Sequence, residues 1–257
     1  MRILLSGACG RMGRTVAELC REREITVAAG VDVSTCGDDL GFPVYPSFDS
    51  VKEKADVIVD FTRPETLPDL TAYALREKMP AVIATTGFNP ADMKRIRDAA
   101  QVIPIFQSAN MSLGINLMKS LIRQAASVLG EAFDVEIIER HHNKKIDAPS
   151  GTALMLFDEL SKCYPGGREM MPGRESRTQM RDHREIGVHA IRGGTLAGTH
   201  EVGFYGAGET LTLIHDAQNR TVFAQGAVAA AAFIKDKPAG LYAMDDLIRQ
   251  MQGGLGG

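Results

Sequence analysis

Residues 139–153, ERHHNKKIDAPSGTA, crowd His141, His142, Lys144 and Lys145 in front of a Pro-Ser-Gly-Thr turn. Imidazole and ammonium groups donate protons and stabilise developing negative charge. APSGTALML reads as a helix start with Ser150 or Thr152 near the N-cap, and the amides of Gly151 and Thr152 at such a start favour a carboxylate. Together these groups suit an anionic substrate whose reacting carbon or nitrogen gains a proton. Beside a nicotinamide, that describes reduction of an unsaturated carboxylate or an imine. A solvated basic loop that happens to carry histidines is the alternative reading. Neighbouring strand side chains face opposite ways, so His141 and His142 share a cavity only if the strand DVEIIER stops near Arg140. No metal site is expected, because His-His-x-x-Lys offers no carboxylate at a helical interval. Ser150 lacks a Gly-x-Ser-x-Gly setting and is not expected to be a nucleophile. His183, His189, His200 and His215 read as structural or surface groups.

A second group lies near the N-terminus. GACGRMGR, residues 7–14, joins an apolar run to a helical pattern and carries glycines at 7, 10 and 13. The dinucleotide fingerprint Gly-x-Gly-x-x-Gly is matched imperfectly, since Cys9 takes the second glycine position. Position supports it: the turn opens a helix whose amides can hold a pyrophosphate, and Asp32 ends the next strand, where a ribose diol would be gripped. A tight turn without a ligand is the alternative. Val33 follows Asp32 where an enzyme favouring a 2′-phosphate often has a cation, which tilts the choice toward NAD over NADP. ATTGF (84–88) and SANMS (108–112) follow later strands and suit a nicotinamide carboxamide and ribose.

Positioning these groups requires two kinds of architecture. Up to residue 111, short apolar strands alternate with helical patterns, which predicts an α/β, Rossmann-like doubly wound parallel sheet. A helix over about 112–129 opens a different region. There FDVEIIER, EIGVHAIR, GTHEVGFYG and ETLTLIHDA read as strands of a partly antiparallel sheet, and residues 164–184 as an exposed loop. TVFAQGAVAAAAFIK and YAMDDLIRQM are helical. The expected division is 1–111 with 222–257 as a dinucleotide-binding domain, and 112–221 as an α+β substrate-binding and oligomerisation domain.

Composition narrows the function classes. The 257 residues carry a net charge of −3 and 44% apolar residues, which argues against nucleic-acid or membrane-surface partners. Nothing approaches a membrane span, and the N-terminal apolar run is too short for a signal peptide. Cys9, Cys20, Cys36 and Cys163 show no Cys-x-x-Cys spacing and are expected to be reduced thiols in a cytoplasmic protein. The closing GGLGG is expected to be disordered.

GACGRMGR, DFTRPE (60–65), TTGF (85–88), ERHHNKKIDAPSGTA and GLYAMDDLI together resemble the 4-hydroxy-tetrahydrodipicolinate reductase family, also called dihydrodipicolinate reductase. The resemblance implies a two-domain subunit in a homotetramer. It implies NAD(P)H-dependent reduction of a cyclic dicarboxylate, made from pyruvate and aspartate semialdehyde, to tetrahydrodipicolinate in lysine biosynthesis. It casts His141 as proton donor and acceptor, Lys145 as proton donor at the reacting ring, His142 as a substrate contact, and Gly151 and Thr152 as holders of a substrate carboxylate. It places cofactor contacts on Gly7, Ala8, Cys9, Gly10, Arg11, Met12, Asp32, Ala84, Thr85, Thr86, Ser108, Ala109, Asn110 and Met111. Two positions depart from the family: Ala84 stands where glycine is frequent, and Val33 replaces a basic residue common in NADPH-preferring members. NADH is therefore expected to be preferred, with NADP possible. A related imine reductase or amino-acid dehydrogenase on another dicarboxylate, and a non-catalytic nucleotide-sensing regulator, are the rival readings.

Overall fold

The computed structural model describes residues 1–34 and 38–253, so the expectations for Cys36 and for the tail beyond Gly253 lie outside the described residues. The chain separates into two compact units, Met1–Leu113 with Arg220–Gly257, and Gly114–Asn219.

The first unit begins β1 (Arg2–Ser6), α1 (Arg11–Glu22), β2 (Thr26–Val31), β3 (Val44–Tyr45), β4 (Val57–Asp60), α2 (Leu67–Glu77), β5 (Ala81–Ile83), α3 (Pro90–Ala100) and β6 (Pro104–Gln107). α4 (Leu113–Leu129) leads into the second unit, with β7 (Asp134–His141), α5 (Gly151–Ser161), β8 (Glu169–Pro172), β9 (Glu185–Arg192), β10 (Gly198–Tyr205) and β11 (Thr210–Ala217). The chain then returns to the first unit as α6 (Thr221–Ile234), β12 (Gly240–Tyr242) and α7 (Met244–Gly253).

In the first unit, the described residues form one sheet of order β12-β6-β5-β4-β1-β2-β3, parallel at every pairing. β1 and β4 read LL and VIV at full burial because helices cover both faces. Ile3, Leu5, Val57 and Val59 pack against α1 and α6, whereas Leu4, Ile58, Ala81 and Ile83 pack against α2 and α3. This is the Rossmann-like doubly wound arrangement, and its strand order reverses between β1 and β4, where an open parallel sheet takes its ligand. The two-residue β3 and the three-residue β12 are edge strands too short to leave a periodic signal in the sequence.

In the second unit, the sheet order is β11-β10-β7-β9-β8. β10 runs antiparallel to both β7 and β11, while β7, β9 and β8 run parallel. Val135 and Ile137 of β7, Val188 of β9, and Val202 and Phe204 of β10 pack against Ile115, Met118 and Ile122 of α4 and Leu156 and Leu160 of α5. One sequence expectation needs correction here. The 164–184 stretch is not wholly loop: β8 pairs with β9, and Arg174 and Arg181 are tied to Glu136 on the sheet. Its mostly exposed EMMP edge strand lacks the apolar alternation that would have revealed it. β7 stops near Arg140 as expected, running one residue further: His141 pairs with Arg192 and its carbonyl accepts from the amide of Gly193.

Candidate active site

Along β7 the buried positions alternate as Val135, Ile137, Glu139 and His141. Strand geometry turns all four toward the helices, so the apolar face ends in a carboxylate and an imidazole. Glu139 has no solvent exposure. Its carboxylate accepts from Arg192 at both oxygens, 2.7 Å each, and from the Ser150 amide at 3.0 Å. The Nδ1 of His141 lies 2.6 Å from Glu139 Oε2. Directly across the sheet from Glu139 stands His200, whose ring meets that of His141 edge-on at 5.2 Å between centroids. The His200 Nε2 is 3.1 Å from the Ser150 hydroxyl, which also caps α5 by accepting from the Ala153 amide. A cis Ala148–Pro149 bond precedes that cap.

Beyond the strand the chain turns. The amide of His142 donates to Leu196, and that of Lys145 to the carbonyl of His142. The Nδ1 of His142 is buried without a hydrogen-bond partner among the described groups. Lys145 pairs with Asp147 at 2.8 Å, and this ammonium holds the Asp147 carboxyl below its ordinary range. Gly151 opens α5 in an exposed position, with half-buried Thr152 beside it. His141 and Lys145 both act on His200. Burial, reinforced by the charges of His141, His215 and Lys145 and opposed by Glu139, lowers His200 to about 4. For Glu139, burial alone would raise the carboxyl, but hydrogen bonds from Arg192, His141 and Ser150 outweigh it and hold it low.

Glu139, Arg192 and His200 are the residues that sequence reasoning missed. Glu139 sits two positions before His141, which is the strand's own period. Ending the strand at Arg140 hid that they share a face. Arg192 and His200 come from β9 and β10 and meet Glu139 only through sheet register.

In the first unit the Gly-rich turn follows β1. Gly7 adopts φ +82°, and a Cβ on it would meet the Phe61 carbonyl at 2.9 Å. At Gly13 a Cβ would strike the carbonyl of Gly7, so only glycine lets α1 start this close to the turn. Gly10 caps α1 without a side-chain hydrogen bond, and the first helical turn carries no acid, so its positive end suits a pyrophosphate. Gly10 and Arg11 are exposed, Met12 is half-buried, and Ala8 is packed in the core. Asp32 accepts from the amides of Cys9 at 2.9 Å and Ser34 at 2.8 Å, which fixes its carboxylate beside the turn. The residues therefore fit a dinucleotide.

Among the other expected contacts, Thr86 and Ala109 are exposed and Ala84 is buried. Thr85 is buried, with its hydroxyl donating to Asp60, itself fully buried. Ser108 donates to the Asn110 carbonyl, and Met111 belongs to the core with its carbonyl against Gly226 of α6. Cys20 and Cys163 are free, but Cys9 is disulfide-bonded, contrary to expectation. Linear spacing misses such a bond because pairing depends on proximity in the fold. Among the described residues no His, Cys, Asp and Glu cluster could hold a metal, and no helix is long and apolar enough to cross a membrane.

Comparison with known proteins places this geometry among relatives. Family models for the N-terminus and the C-terminus of dihydrodipicolinate reductase match residues 1–111 and 114–248. A 4-hydroxy-tetrahydrodipicolinate reductase from Caldanaerobacter subterraneus subsp. tengcongensis is 49% identical, over 97% of this chain and 99% of the relative. The one from Clostridium tetani is 43% identical, over 96% and 97%. A solved structure of dipicolinate-bound dihydrodipicolinate reductase from Paenisporosarcina sp. TG-14 superposes with a TM-score of 0.78, at 28% identity, over 95% of this chain and 97% of that one.

The buried His200 has a consequence for stability. Its value falls from 6.5 to about 4 on folding, so between those values the unfolded chain binds a proton that the folded chain refuses. Stability rises with pH across that window and is lost as pH falls, by about 3 kcal/mol at the acid end. Urea unfolding of wild type and His200→Gln should show a shallower pH dependence in the variant between pH 6.5 and 4. Parallel curves would mean that His200 does not stay neutral in the fold.

Proposed function

The chain belongs to the dihydrodipicolinate reductase family, and on that premise we propose how its residues share the work. It is an NAD(P)H-dependent oxidoreductase that reduces 4-hydroxy-tetrahydrodipicolinate to tetrahydrodipicolinate in the diaminopimelate route to lysine. Between those two compounds, one hydride and one proton enter and one water leaves. A bound nicotinamide supplies the hydride.

The observation that carries the assignment of roles is the loop from His141 to Thr152, which leaves a buried strand face and runs into the start of α5. His141, anchored at Nδ1, donates and accepts protons. Lys145 is the proton donor at the reacting ring; its short link to exposed Asp147 keeps the ammonium near the loop until substrate replaces that partner. His142, with its unpartnered Nδ1, contacts the substrate. One carboxylate of the cyclic dicarboxylate sits on the amide end of α5 at Gly151 and Thr152, where the helix dipole favours an anion.

The cofactor is held by the backbone of Gly7–Met12, by Asp32 at the adenosine ribose, and by the segments Ala84–Thr86 and Ser108–Met111. The side chains of Ala8, Thr85 and Met111 are turned to the interior, so these residues act through the backbone. NADH is preferred over NADPH. Asp32 repels a 2′-phosphate, and Val33, 93% exposed, offers no cation. Arg14 is the nearby base, but its guanidinium is engaged with Asp39 at 2.6 Å.

The 1–111 and 222–257 segments form the dinucleotide-binding domain, and 112–221 the substrate and oligomerisation domain. A homotetramer in the cytoplasm completes the reading. Self-association is supported by Ile191 and Ile214, 46% and 63% exposed on the sheet face away from α4 and α5.

The direct assay follows NADH oxidation with substrate generated from pyruvate and aspartate semialdehyde by the preceding synthase. His141→Ala and Lys145→Ala should each lower kcat roughly 10²-fold or more, the scale of positioned acid-base groups. Near-normal kcat in His141→Ala would remove its role. For the cofactor, kcat/KM at equal ionic strength should favour NADH on the order of tenfold, as one uncompensated exposed charge gives. Val33→Arg should narrow or invert that ratio while kcat with NADH holds. A wild-type enzyme favouring NADPH would show that Arg11 or Arg14 outweighs Asp32.

A further inference from the structure

The Glu139 carboxylate is saturated by partners whose roles are not interchangeable. Oε1 accepts from the Ser150 amide and from Arg192 Nη2, and Oε2 from Arg192 Nη1. A backbone amide and a guanidinium can only donate, so all three require an ionised, acceptor-only group. The carboxyl is also held below its ordinary range. The fourth partner, His141 Nδ1 at 2.6 Å from Oε2, therefore faces an oxygen that has no proton to give. Its hydrogen bond exists only if Nδ1 carries the proton.

This fixes the chemistry of the ring's other nitrogen. With Nδ1 permanently protonated, every change in His141's charge occurs at Nε2. Gly198 packs against that nitrogen: a Cβ there would come within 2.9 Å of Nε2, a clash that glycine avoids. Arg192 contributes in a second way. Its charge offsets that of Glu139, and its bond to the Asp147 carbonyl at 2.6 Å ties the same clamp to the loop carrying Lys145.

We propose that Glu139 and Arg192 are positioning residues that lock His141 as the Nδ1–H tautomer, so that Nε2 is the atom through which it exchanges protons with the substrate. This rests on the proton-transfer role given to His141 above.

Replacing Glu139 with Gln tests it because the amide cannot satisfy the same partners. Its oxygen belongs at the Oε1 position, where two donors converge, which leaves its NH2 group facing His141 and Arg192 Nη1. The NH2 then donates to Nδ1 and forces the proton to Nε2. Glu139→Gln should lose kcat roughly 10²-fold, with KM for both substrates within about threefold of wild type, and Glu139→Asp should recover part of the loss. In the full-length enzyme labelled with ¹⁵N-histidine, neutral His141, identified by the signal lost in His141→Ala, should be protonated at Nδ1. A neutral His141 protonated at Nε2 in wild type would overturn the proposal even if the Gln variant fails to fold. So would a folded Glu139→Gln enzyme with kcat within threefold of wild type while His141→Ala is inactive. An active His141→Ala enzyme would instead overturn the underlying role of His141.

Discussion

A carboxylate removed from water costs several kcal/mol unless it is ionised against hydrogen-bond donors that do not move. Glu139 is placed under that requirement by strand geometry, and the second unit meets it with one element after another. β9 brings Arg192 by parallel register, α5 brings the Ser150 amide at its own N-cap, and β7 itself brings His141 two residues on. Each is fixed for a separate packing reason. The loop between β7 and α5, which carries Lys145, is thus anchored at both ends by one buried charge.

His200 shows how the same pocket limits charge. It lies across from Glu139 and beside His141, but burial keeps it neutral over the range in which an exposed imidazole would titrate. An imidazolium at this position would compete with His141 for the carboxylate. The neutral ring instead fills space edge-on and joins the cap of α5 through the Ser150 hydroxyl. In the first unit the close packing is reached by removing side chains and by pairing a buried acid. Gly7 and Gly13 remove side chains from the turn, and the buried Asp60 gathers the hydroxyls of Thr62 and Thr85 beneath it.

Much of this was legible in the sequence. Alternating apolar strands and helices announced the parallel sheet, because burial on both faces leaves no polar period. The glycine spacing marked the tight turn between β1 and α1, and the segment from Glu139 to Ala153 carried the resemblance to the family. What stayed hidden depends on register rather than on local pattern. Glu139 reads as an ordinary polar strand residue until His141 is included in the strand. Arg192 and His200 are separated from it by 53 and 61 residues, and only sheet order brings them together. Edge strands β3, β8 and β12 were missed because short, half-exposed segments carry little periodicity. The Cys9 bond was missed because thiol pairing is a matter of proximity.

The loop from His141 to Thr152 is proposed as the place where the cyclic dicarboxylate binds and is protonated. The most direct measurement is a crystal structure with NADH and a planar pyridine dicarboxylate. It should show one ligand carboxylate on the amides of Gly151 and Thr152, the ligand ring beside His142 and Lys145, and the Glu139 to His141 hydrogen bond intact. A dicarboxylate bound away from α5, or a His141 released from Glu139 in the complex, would contradict it.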